Sequence, residues 1–293
     1  MSGAKTSPSE RDQLELFRAL PGDLAPRDAQ DLMTYPFFSL SKSHRVTPID
    51  FRMGQVAIRV EATVEHGMAT IWDADVLIWA ASQLVEARDK GLRTSQLITA
   101  TPYEILTFIR RGTSARDYHR LKAALDRLQS TTVATTLRQP TERRMHRFSW
   151  VNEWKERADA YGRPLGIELI IPDWLYASVL NNALVLTIDR AYFQLSGGLE
   201  RWLYRIVRKH AGHQPGGWCF EVLPPAPEVR QPVTAQALRL RAAPHYPPPA
   251  ASRLPARDGG EPIRATAPHL QTRSIRNHRP PVTPPRSVHE AWG

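Results

Sequence analysis

Residues 101–129, TPYEILTFIRRGTSARDYHRLKAALDRLQ, hold two helix starts and one tight turn. Thr101 followed by Pro102 reads as an N-cap with proline in the first turn, where its missing N–H does no harm. Ile105, Leu106 and Ile109 carry that helix to a stop at Gly112. Ser114 opens a second helix, to about Gln129. At 100° per residue, Ser114, Tyr118, Leu125 and Leu128 fall within about 60° of Leu121. Arg116, His119, Ala123 and Arg127 fall on the far side, with Arg120 flanking. Two helices joined by so short a turn as Arg111-Gly112-Thr113 predict a helix-turn-helix, with the helix from Ser114 as its recognition helix.

The flanks extend this reading. Thr132 to Arg138 is β-branched and extended, Gln139 to Met145 is a basic turn, and His146 to Trp154 returns as a strand. A hairpin directly after the helix pair is the layout of a winged helix, with Arg138, Arg143, Arg144 and Arg147 on the wing. Upstream, Asp73 and Asp75 suit the start of a helix with an apolar stripe through Val76, Leu77, Ala80 and Leu84, ending at Gly91. Residues 36–70 read as β, with Pro36–Leu40, Gln55–Glu61 and Met68–Trp72 as strands. Leu14, Leu16, Phe17 and Leu20 suggest a short docking helix within a flexible lead-in, residues 1–25.

Downstream the pattern restarts. After a polar link (Glu156 to Gly162), Gly166–Ile171 reads as a strand, Pro172–Leu180 as a helix, Leu184–Ile188 as extended and Asp189–Leu195 as a short helix. Gly198–Ala211 is a strong helix and Trp218–Leu223 the start of a strand. On that last helix Leu199, Trp202, Leu203, Ile206, Val207 and His210 share one face, which predicts burial. Arg201, Arg205 and Arg208 lie opposite, which predicts an exposed phosphate-binding stripe. The expected fold class is α+β. It comprises a winged helix-turn-helix over 26–160, a partial second winged-helix unit over 161–223 and a disordered Pro/Arg-rich tail over 224–293.

Charge follows the same division. The 293 residues carry 39 Lys and Arg against 29 Asp and Glu, a formal charge of +10. Residues 110–147 hold 10 basic and 3 acidic side chains. Residues 224–293 hold 10 Arg, no Lys, 4 acids and 15 of the 25 prolines. A basic segment within an otherwise acidic body points to a polyanion partner. On the second helix of the pair, Arg116, His119 and Arg120 would lie near base edges and Ala123 would permit close approach. Thr113, the Ser114 hydroxyl and the helix N-terminus would meet a phosphate.

Other chemistries fall away. The sequence holds no phosphate loop ending in Gly-Lys-Ser/Thr, no Gly-x-Ser-x-Gly and no His-x-His. Asp73 and Asp75 as metal carboxylates, and His210, His213 and Cys219 as zinc ligands lacking a fourth, are weaker readings than capping and packing. The expectation is therefore no enzyme, no metal and no cofactor. One cysteine, no apolar leader and no run of about 18 apolar residues suggest a cytoplasmic protein without membrane partners.

Several segments also resemble a known family. TPYEILTFIRRGT (101–113), DYHRLKAALDRLQSTTV (117–133), HRFSWVNEW (146–154) and LTIDRAYFQLSGGLERWLYRIVRKHAG (186–212), with TIWDADVLIWA (70–80), are similar to the plasmid replication initiator protein A family of proteobacteria. The resemblance covers about two-thirds of the chain. It implies a non-catalytic winged-helix protein that binds repeated sites on double-stranded DNA at a plasmid origin, helps open the duplex and recruits host replication factors, with a homodimer as one possible state. It places the DNA-contacting helix pair on 102–129. A transcriptional repressor and a non-functional truncated initiator are the alternatives. The Pro-Pro-Ala-Pro-Glu-Val-Arg run from Pro224 departs from the family pattern. It has the composition that a shifted reading frame in GC-rich DNA gives, so a truncated or frameshifted C-terminus is expected. Translating the other frames downstream of codon 220 tests this.

Overall fold

The computed structural model describes residues 14–138 and 145–210. All of them belong to one compact unit, Met1–Val222. In chain order the elements are β1 (Phe17–Arg18), β2 (Arg27–Ala29), α1 (Gln30–Thr34), β3 (Ile49–Met53), β4 (Val56–Glu61) and α2 (Ala74–Asp89). They continue with β5 (Leu97–Ala100), α3 (Pro102–Phe108), α4 (Ala115–Ser130), β6 (Thr132–Thr135) and β7 (His146–Ser149). Last come β8 (Glu153–Ala158), β9 (Pro164–Ile170), α5 (Asp173–Leu180), β10 (Val185–Thr187) and α6 (Gly198–His210), the fold being α+β.

Two four-stranded sheets form, in the orders β1-β5-β9-β8 and β3-β4-β6-β7, while β10 pairs with β2. α2 lies at the centre. Thirteen of its sixteen residues are buried, so its apolar surface runs around the helix rather than along one stripe. Beside it an aromatic group closes the core: Trp150 meets Phe37 edge-on at 5.3 Å, and Phe148 stacks on Trp174 at 4.9 Å.

The structure differs from the sequence expectations in four places. The stretch around Leu14 to Leu20 is no helix; Phe17 and Arg18 instead pair in parallel with Ile98 and Thr99. Pro36–Leu40 and Met68–Trp72 meet only through an isolated Ser39–Thr70 bridge. The polar link after Trp154 begins as a strand, because β8 finds β9 as its partner over Glu153–Ala158. Finally, no break falls at 160–161. β9 lies between β8 and β5, so residues from both sides of that position share one sheet. The wing tip at Arg143 and Arg144, the strand at Trp218–Leu223 and the tail from Pro224 lie outside the described residues.

A candidate nucleic-acid interface

α3 and α4 are built by local sequence. Each starts in a capping box: Thr101 with Glu104, and Ser114 with Asp117. α3 closes earlier than the glycine suggests. Arg110 takes the left-handed conformation (φ 57°), and the Arg110 and Arg111 amides donate back to the Thr107 and Leu106 carbonyls, a Schellman closure without glycine. Gly112 serves another purpose. A Cβ there would lie 2.5 Å from the Asp117 carboxylate, so the turn needs its bare backbone to reach the cap of α4.

α4 divides as expected. Leu121, Ala124, Leu125 and Leu128 are buried. Arg116, His119, Arg120 and Ala123 are exposed, as are Thr113 and Ser114 before them. Among the described residues Arg116 and His119 have no ion-pair partner, and Arg120 makes only a 3.4 Å contact with Asp117. The phosphate role expected of Ser114 is corrected. Its hydroxyl donates to Asp117 Oδ2 at 2.6 Å, and that carboxylate already occupies the helix N-terminus. The bond to Ser114 also holds the Asp117 carboxyl below its usual range.

Five other expected contacts are committed elsewhere. Arg127 grips Asp73 with two bonds of 2.7 and 2.8 Å. Arg138 stacks on Trp174 at 3.6 Å and pairs with Asp31 at 3.0 Å. Arg201 and Arg205 are both buried, at 2% and 1% exposure, so the outward stripe predicted for α6 is inverted. Arg205 holds Asp28 at 2.8 and 3.0 Å; Arg201 holds Asp75 at 2.7 and 3.0 Å. Arg208 is half-buried and donates to the Thr187 carbonyl. Arg147 stays exposed on β7, with a 3.4 Å contact to Glu61.

The acids at the start of α2 are therefore ion-pair hubs rather than caps or metal ligands. Asp73 offers its own helix no side-chain cap; it accepts from Thr70 and Arg127. Asp75, fully buried, accepts from Arg201 and from Arg111 at 2.8 Å. Burial pushes the Asp75 and Asp28 carboxyls up, and the guanidiniums beside them counter it. Among the described residues no cluster of three His, Cys, Asp or Glu side chains could hold a metal, and no helix is long and apolar enough to cross a membrane.

One part of the surface escaped the sequence reading. A cleft of about 430 Å³ runs beside α4, lined by Lys42, His44, His66 and Trp72 opposite Arg120 and Arg127. Lys42 lies 4.8 Å from the Trp72 ring. The signal was the short basic run Lys42-Ser43-His44-Arg45, which neither helical nor strand periodicity marks.

These features define an α+β protein in which two capped helices, α3 and α4, are joined by a short turn and the second shows a basic exposed face. Residues 27–224 match the family model described as Replication initiator protein A, and the chain belongs to that family. A protein of Wigglesworthia glossinidia brevipalpis named as a replication protein is 33% identical over 186 residues, 62% of this chain and 66% of that one. The chain thus spans just under two thirds of that relative's length. Crystal structures of domains 2 and 3 of RctB are similar over 60% of this chain and 68% of theirs, with TM-scores of 0.45 and 0.44 at 12% and 11% identity.

Proposed function

We propose that the chain is a sequence-specific DNA-binding replication initiator, non-catalytic, that recognises repeats at a plasmid origin. α4 enters the major groove and presents Arg116, His119 and Arg120 to base edges around the small Ala123. The β6–β7 hairpin acts as the wing, with Arg147, and with Arg143 and Arg144 at its tip, on phosphates. The observation that carries the reading is the free state of Arg116 and His119: exposed on one helix face, with no acidic partner among the described residues. Most other arginines around them are engaged. Family membership gives the replication context. Host replication factors and a second copy of the chain are the expected partners, in the cytoplasm where the plasmid lies.

Footprinting on the DNA flanking the chain's own gene tests this. Protected direct repeats are the expected result. One protected palindrome beside a promoter would identify a repressor instead, and no protection at all a truncated, inactive initiator. Binding that does not weaken steeply with salt would contradict phosphate contact.

A further inference from the structure

α4 has two flanks, and they differ. On one, Trp154 of β8 donates to Asp126 at 3.1 Å and Lys122 pairs with Glu156 at 2.7 Å, so the strand closes against the helix. On the other, Asp117, Arg120, Leu121, Ala124 and Arg127 recur at helical spacing along the cleft of about 430 Å³. Lys42, His44, His66 and Trp72 form the facing wall. Charge there is one-sided. Both acids of the lining are already bonded, Asp73 to Arg127 and Thr70, and Asp117 to Ser114. Lys42 and His44 are exposed. Lys42 has no carboxylate partner among the described residues; its ammonium rests 4.8 Å from the Trp72 ring.

This wall is held from outside the helix pair. The Ser39 amide donates to the Ala69 carbonyl, the Ile71 amide to the Ser39 carbonyl, and the Met68 amide to the Arg45 carbonyl at 2.7 Å. Lys42, Ser43 and His44 lie between these ties. Gly67 lets the two loops close together: its φ is +72°, and a Cβ there would lie 2.7 Å from the His44 ring. A loop fixed in this way presents its cations without first having to be ordered, which spares entropy on binding.

We propose that this cleft seats the sugar-phosphate backbone of the DNA strand bordering the groove that α4 enters, with Lys42 and His44 on its phosphates. The inference rests on α4 reading the major groove. A helix is about 10–12 Å across and that groove about 12 Å wide, so a helix inside it has a backbone along each flank. On the β8 flank the nearest cation, Lys122, is already paired; the cleft flank offers cations to a phosphate. The cleft floor is apolar, with Met68, Val76 and Leu106, which suits the deoxyribose between phosphates. The clamp would belong to neither the helix pair nor the wing.

The test uses the full-length chain and the duplex protected in footprinting, with affinity followed by fluorescence anisotropy across a salt series. Lys42→Ala should weaken binding about five- to ten-fold on specific and random duplex alike. It should also make the slope of log affinity against log salt shallower by about one. Lys90→Ala, at the far end of α2 and paired there with Glu86, should change neither. A neutral methylphosphonate at one bordering phosphate should weaken wild type by a similar factor and leave Lys42→Ala unaffected. An unchanged salt slope for Lys42→Ala, or methylphosphonate losses that the variant shares at every position, would overturn the inference. So would displacement of the DNA by inorganic phosphate but not by chloride at equal ionic strength, which would assign the cleft to a free anion. If Arg116→Ala meanwhile lowers affinity at the specific site, only the cleft is refuted; if it does not, the reading of α4 falls with it.

Discussion

α4 and α6 are both strongly two-faced helices carrying arginines on one side and leucines on the other, and they are mounted in opposite senses. α4 buries Leu121, Leu125 and Leu128 and shows Arg116 and Arg120 to solvent. α6 buries Arg201 and Arg205, while Leu203 is only half-buried and Val207 is exposed. Periodicity fixes the axis of a helix's asymmetry, while its sense depends on what waits beneath it. Under α4 the body offers apolar surface. Under α6 it offers two buried carboxylates, Asp28 and Asp75. A buried guanidinium bonded on both nitrogens to a carboxylate is tolerated where a lone one is not.

The largest test of this contrast is Arg205→Met. It strands Asp28 in the core and should cost about 3–5 kcal/mol in denaturant unfolding, most of it recovered when Asp28→Leu is added. A loss under about 1 kcal/mol would mean that the pair does not set the sense of α6. On the other helix, Arg116→Ala or Arg120→Ala should lose about 1–3 kcal/mol of binding at the specific site and less on random duplex. Arg147→Ala should weaken both DNAs alike in fluorescence anisotropy. Arg201→Ala should lower the folded fraction but leave affinity per folded molecule unchanged. Equal losses on both DNAs from Arg116→Ala would erase the functional half of the contrast.

Smaller effects sharpen it. Ser114→Ala removes the cap of α4 and should cost about 1 kcal/mol by thermal or denaturant unfolding. The α6 start has no equivalent hydroxyl, since Gly197 there donates to Glu200. The least effect concerns pH. The Asp117 carboxyl is held low in the folded chain, first by the Ser114 hydroxyl. Its contribution is therefore present above the ordinary carboxylate value, near about pH 4, and lost as pH falls through the lower folded value. Wild type should lose stability faster than Asp117→Asn on acidification below about pH 4; parallel curves would remove the carboxylate from the cap.

What the sequence revealed follows the same division. The α3–α4 pair, both caps and the exposed set Arg116, His119, Arg120 and Ala123 were legible because every determinant lies within about four residues, the reach of helical periodicity. β1 and β8 were not, because such short or polar strands exist only through partners at Ile98 and along β9. The sense of α6 was illegible for a similar reason: Asp28 is 177 positions from Arg205, and Asp75 is 126 from Arg201. A clue was nonetheless present. Asp75 interrupts the run Ala74-Asp75-Val76-Leu77-Ile78-Trp79, and a carboxylate in so apolar a helix requires a buried cation. Arg201 and Arg205, four apart on one helix face, were candidates to supply it.

Asp75 also bears on how this sequence could drift. Its two oxygens serve guanidiniums from separate parts of the chain, Arg111 in the α3–α4 turn and Arg201 in α6. Losing either arginine leaves the carboxylate with one partner. Losing the carboxylate leaves two cations near each other, one of them with 2% exposure. Replacement at position 75 thus leaves two distant cations to be compensated at once, whereas replacement at 111 or 201 leaves the acid one remaining partner. Among relatives, the acid should be the slowest of the three to change, and changes at 111 and 201 should accompany it when it does.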